Sequence, residues 1–80
     1  MRLDKFLKVA RIIKRRTVAK EVCDGGKVTV NGRPGKAGTE VKVGDELNLT
    51  FGAKILRVRI LATPETIRAD QADNLYEEIH

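Results

Sequence analysis

The side chains able to do chemistry in this 80-residue chain are mostly cations, gathered near its start. In "IIKRRTVAKEV" (residues 12–22), Lys14, Arg15 and Arg16 interrupt an apolar pattern and Thr17 follows at once. Upstream stand Arg2, Lys5, Lys8 and Arg11, each three residues from the next, and Lys20 lies downstream. An arginine fork suits bidentate contact with a phosphate, and lysine adds a less directional point charge. Cations that neutralise phosphates release counterions, so a patch of this kind binds a polyanion with strong salt dependence. Asp4 is the one acid among them. Either it is a first-turn carboxylate favoured by the helix dipole, or it pairs with Arg16 and fixes that guanidinium, which reduces the entropy lost on binding. Both readings stay open.

Other chemistries have little to work with. The one histidine is His80, the last residue, so no Ser/His/Asp or Cys/His arrangement forms without it. Cys23 is alone, which excludes an internal disulfide and a cysteine-based zinc cluster. "NGRPGKAG" (residues 31–38) lacks the spacing of a phosphate-binding loop. A binding module with no enzymatic activity, metal or cofactor is expected.

The elements that must carry the cations follow from periodicity. Leu3, Phe6, Leu7, Ala10 and Ile13, with Val9, form the apolar stripe of a helix over residues 3–13, and Asp4, Lys5, Lys8 and Arg11 collect opposite. Ile12 violates the division. Thr17 is expected to cap a second helix over Val18–Cys23, with Val18, Ala19, Val22 and Cys23 inward and "DGG" (residues 24–26) ending it. There Cys23 reads as a small buried hydrophobe.

From Lys27 the period becomes two. Val28 and Val30 precede an Asn31-Gly32 turn, and a Gly/Pro-rich loop carrying Arg33 and Lys36 follows. Val41 and Val43 precede a Gly44-Asp45 turn. Leu47, Leu49 and Phe51 alternate with polar residues, and after a "GAK" connection so do Leu56, Val58 and Ile60 with Arg57 and Arg59. Thr63 as N-cap, Pro64, Glu65, Ile67, Ala72, Leu75, Tyr76 and Ile79 suggest a C-terminal helix. Helices then strands give an α+β fold, divided into residues 1–62 and an acidic tail, 63–80, packed on the domain or extending from it.

The formal charge of +5 is unevenly spread. Residues 1–20 hold eight Lys/Arg against one acid, and residues 65–80 hold one Arg against five acids. A polyanion meets the N-terminal end first. No apolar run approaches a membrane span, and the N-terminus lacks a secretory pattern, so a cytoplasmic monomer is expected. A helix-turn-helix reading on duplex DNA is disfavoured because "VAKEVC" offers only Lys20 and Glu21 to base edges. A protein-interaction adaptor working through the acidic tail is a third class.

Four spaced blocks, "RLDKFL", "RRTVAKEV", "GKVTVNG" and "VKVGDEL", resemble the S4 RNA-binding domain family across about residues 1–50. The resemblance implies an α+β domain whose two helices and an adjacent loop face RNA. It marks Arg2, Asp4, Arg16, Thr17 and Asn31-Gly32, and Lys36 joins the candidates as a loop cation. Many members have serine where this chain has Arg15. Within the family, the chain is most similar to short free-standing members of ribosome-associated quality control. This implies binding to 23S rRNA and peptidyl-tRNA in the P site of a stalled large ribosomal subunit, in support of RqcH, which adds C-terminal alanine tails. Heat-shock-type members that recycle obstructed large subunits are the alternative within the family.

Overall fold

In the computed structural model, which describes residues 1–63 and 75–79, two helices pack on an antiparallel five-stranded sheet. The helices are α1 (Leu3–Val9) and α2 (Arg16–Asp24). The strands are β1 (Val28–Val30), β2 (Arg33–Pro34), β3 (Glu46–Phe51), β4 (Lys54–Ile60) and β5 (Tyr76–Glu78). Their order across the sheet is β2-β1-β3-β4-β5. Pairing Val28 with Leu49, Val30 with Leu47, and Leu47 with Val58 keeps the apolar alternation in register. One face of the sheet therefore supplies Val28, Leu47, Leu49, Val58 and Ile60 to the core, α1 supplies Leu3, Phe6 and Leu7, and the turn after α1 adds Ala10 and Ile13. Complete burial of a side chain such as Phe6 contributes about 1.5–3 kcal/mol.

The expected α+β architecture holds, with corrections at element ends. α1 stops at Val9, not at residue 13. Arg11 takes a left-handed φ of 60°, its N–H donates to the Lys8 carbonyl, and the Ile12 N–H donates to the Leu7 carbonyl. These two bonds make a Schellman closure, with Ile12 beyond the helix, so its break in the apolar stripe is no violation. α2 begins a residue before Thr17. Arg15 is its N-cap, in extended conformation, and no side chain caps it. Thr17 therefore sits inside the first turn, which turns Val18 outward (41% exposed) while Ala19 and Cys23 are buried.

The Asn31-Gly32 turn forms as expected, with φ of 52° and 82°, both positive as a two-residue type I′ hairpin requires. Val41 and Val43 do not form a strand. Val41 is buried with its N–H on the Met1 carbonyl, whereas Val43 lies exposed in the Gly44 turn. Phe51 is also exposed, at the β3–β4 connection. The C-terminal helix is corrected where it can be seen, since Tyr76–Glu78 is a strand paired with β4. Leu75 is buried and its carbonyl accepts from the Leu61 N–H at 2.7 Å, which holds that segment extended. Pro64, Glu65, Ile67 and Ala72 fall outside the described residues, as does His80.

Candidate nucleic-acid interface

α1 cannot satisfy its own first amides, and the loop after β2 does so. Leu3 N–H donates to the Thr39 carbonyl at 2.8 Å and Asp4 N–H to the Ala37 carbonyl at 3.2 Å. Gly35 makes this close approach possible, because a Cβ there would lie 2.8 Å from the Leu3 Cδ2. The loop is held from its other side by α2, whose Asp24 carboxylate accepts from Ala37 N–H at 3.1 Å. Lys36 reaches the Asp24 carbonyl through its Nζ at 3.5 Å. The start of α1, the end of α2 and the loop are thus tied into one surface. Asp24 ties Lys36 to that surface, a role hidden within the helix-ending "DGG" signal.

Asp4 lies where these elements meet. Its side chain is 4% exposed, yet it faces two guanidinium groups that are about half exposed. Arg16 Nε donates to Asp4 Oδ2 at 3.3 Å, Arg2 Nε lies 3.6 Å from Oδ1, and the Lys5 N–H donates to Oδ1 at 2.8 Å. This resolves the two readings of Asp4 toward the pairing with Arg16, and adds Arg2 as a second partner. A buried carboxylate that holds two cations at the surface pre-organises them for an anion, because less side-chain freedom is lost on binding. Arg15 and Thr17 are exposed beside this corner at the positive end of α2.

Lys8, Arg11 and Lys14 line a cleft of about 250 Å³ at the far end of α1. Lys20 is exposed on α2, and Lys5 is partly buried on α1. The predicted residues therefore divide into an Arg2–Asp4–Arg16 corner, a three-cation cleft and the Lys36 loop. Asn31 belongs to none of these. Its carboxamide donates to Asp45 Oδ1 at 3.0 Å and accepts from the Glu46 N–H at 2.9 Å, which clasps the β1–β2 turn to the start of β3.

Burial pushes the Cys23 thiol up to about 11, reinforced by the negative charges of Asp4 and then Asp24. A thiol so protonated is a poor nucleophile, in keeping with its place in the core. Among the described residues no helix is long and apolar enough to cross a membrane.

Comparison with known proteins identifies the family and the fold. The family model described as the S4 domain matches residues 1–47. The chain is 61% identical to the RQC P-site tRNA stabilizing factor of Halalkalibacterium halodurans, over 96% of this chain and 88% of that protein. It is 51% identical to the protein of the same name from Bacillus subtilis, over 95% of this chain and 88% of that protein. Among solved structures, the trimeric heat shock protein 15 of Vibrio cholerae superposes with a TM-score of 0.90 at 35% identity, covering 99% of this chain and 81% of that one.

Proposed function

The chain belongs to the S4 domain family, and from that premise we propose that it is an RNA-binding factor of ribosome-associated quality control. It binds 23S rRNA and the P-site peptidyl-tRNA on stalled large ribosomal subunits. There it holds the two RNAs in a productive geometry without bond chemistry and assists RqcH in adding alanine tails to the blocked nascent chain. The observation that carries this reading is the buried Asp4 carboxylate holding Arg2 and Arg16 outward on a basic face. The relatives' names supply the cellular setting, a P-site tRNA within quality control.

The test is co-sedimentation with large subunits that carry peptidyl-tRNA. Arg16→Ala is expected to leave the chain folded and to reduce co-sedimentation at least tenfold, as loss of a charge-assisted contact to phosphate predicts. A folded variant that still co-sediments fully removes Arg16 as a principal contact. Similarity to heat shock protein 15 favours a second reading, recycling of obstructed large subunits. A reconstituted tailing reaction separates the two. Under the first reading, omitting this chain shortens the alanine tails; under the second, their length is unchanged.

A further inference from the structure

The Lys8–Arg11–Lys14 cleft is set apart from the Asp4 corner by two independent features. The first is electrostatic. Three cations line one cleft, and no ion pair with a described carboxylate engages any of them, whereas Arg2 and Arg16 share Asp4. Like charges gathered without a counter-charge repel one another until an anion enters.

The second feature is in the backbone. α1 and α2 end in the same Schellman closure. After α2, the Gly26 N–H donates to the Cys23 carbonyl and the Lys27 N–H to the Val22 carbonyl, with Gly26 at a φ of 78°. After α1 the equivalent residue is Arg11, at a φ of 60°. A left-handed conformation is free of steric penalty for glycine and disfavoured for arginine. Unfavourable backbone conformations cluster where a side chain is needed at a site. Here the left-handed residue is itself one of the three cations lining the cleft.

We propose that Lys8, Arg11 and Lys14 form a seat for one RNA backbone phosphate, separate from the corner held by Asp4. The proposal rests on the RNA-binding reading above and deepens it, by giving three of its candidate cations one shared phosphate and a place apart from the Asp4 corner. A cleft of about 250 Å³ has room for a phosphodiester group with part of its hydration shell, each water occupying about 30 Å³ in the liquid. The phosphate supplies a counter-charge that no described carboxylate provides, and Arg11 offers it a directional fork.

The experiment measures binding of the full chain to a short labelled RNA hairpin over a series of KCl concentrations. Each lost phosphate contact lowers the slope of log affinity against log salt by about 0.7–0.9. Arg11→Gly is expected to weaken binding several-fold and to lower the slope by about one contact. Its thermal midpoint should stay at or above wild type, because glycine suits a φ of 60°. The double variant Lys8→Gln, Lys14→Gln is expected to lose the same contact without touching the backbone. Lys54→Gln, an exposed lysine of β4, serves as the control for general loss of charge and keeps the wild-type slope.

A wild-type slope in either Arg11→Gly or the double variant overturns the proposal, as does an equal loss in Lys54→Gln. If those variants match wild type while Arg16→Ala loses binding, the seat fails and the RNA-binding reading stands. If the wild-type chain binds no RNA, both fail.

Discussion

The two aspartates buried among the described residues, Asp4 at 3% exposure and Asp45 at 6%, have unlike surroundings. Asp45 is filled by uncharged donors. Its Oδ1 accepts from the Asn31 carboxamide and its Oδ2 from the Lys42 N–H, both at 3.0 Å, so it clasps one turn to another. Asp4 takes one backbone N–H and turns its remaining capacity to two guanidinium groups, each with about half its surface in water. One carboxylate closes a loop, and the other aims charge outward. The kind of donor around each buried acid, more than the degree of its burial, distinguishes the two.

The largest expected effect that would break this comparison is on stability. Asp45→Ala leaves Asn31 Nδ2 and the Lys42 N–H without their acceptor. A net loss of about 2 kcal/mol is expected, from two hydrogen bonds to a charged group whose donors partly regain water. Urea unfolding measures it. RNA affinity, corrected for the folded fraction, should stay at the wild-type value. A loss of affinity beyond that correction would place Asp45, and with it Asn31, on the recognition side.

The distinction between the two aspartates was only half visible in the sequence. Asp4 stood out because it interrupts a run of cations, and its pairing with Arg16 was one of two open readings. Asp45 looked like an ordinary turn residue after Gly44, since nothing local shows that the Asn31 side chain reaches it from fourteen residues away. The resemblance marked Asn31 as a site position, yet the hydrogen bonds assign its polar atoms to the turn. The core of the fold was far more legible. The stripe Leu3, Phe6, Leu7 is buried as spaced, and so are Leu47 with Leu49 and Val58 with Ile60, because burial imposes the period of the element on the sequence; Ala10 and Ile13 are buried too, but from the turn after α1.

Element ends were less legible, since they are fixed by backbone bonds that side-chain type signals only weakly. Arginine is not a helix-stop residue, so the left-handed turn at Arg11 had no signal. Thr17 advertised a cap, but the N-cap is Arg15, two residues earlier. The tail failed for a different reason: the apolar spacing of Leu75, Tyr76 and Ile79 fits a helix, while the unpaired edge of β4 offers Tyr76–Glu78 a strand partner.

A second effect, on affinity, sharpens the comparison at Asp4. Asp4→Asn removes a negative charge from a basic face. If net charge alone governed binding, RNA affinity would rise. Positioning by Asp4 predicts the reverse, a fall of about tenfold, because Arg2 and Arg16 lose the group that orients them and must be ordered by the RNA itself. Binding at fixed salt, with folding checked by circular dichroism, decides between the signs. An increase in affinity would reduce Asp4 to a packing residue like Asp45.

The smallest effect concerns neighbours that the sequence treats alike. Arg15 and Arg16 are both exposed and adjacent, but they enter α2 differently. Arg15 is the extended N-cap, with no side-chain hydrogen bond capping the helix, and Arg16 is the first helical residue, with its Nε on Asp4. An untethered arginine contributes charge but must lose more side-chain freedom on binding, which cancels part of its gain. Arg15→Ala is therefore expected to weaken RNA binding only about two- to threefold, against at least tenfold for Arg16→Ala, while each lowers the salt slope by a similar fraction of a contact. The informative quantity is the difference in affinity at equal slope, since it isolates what the Asp4 tether adds beyond charge. Equal losses from the two variants would show that the tether adds nothing, and the contrast between the two buried aspartates would then be one of geometry without consequence for recognition.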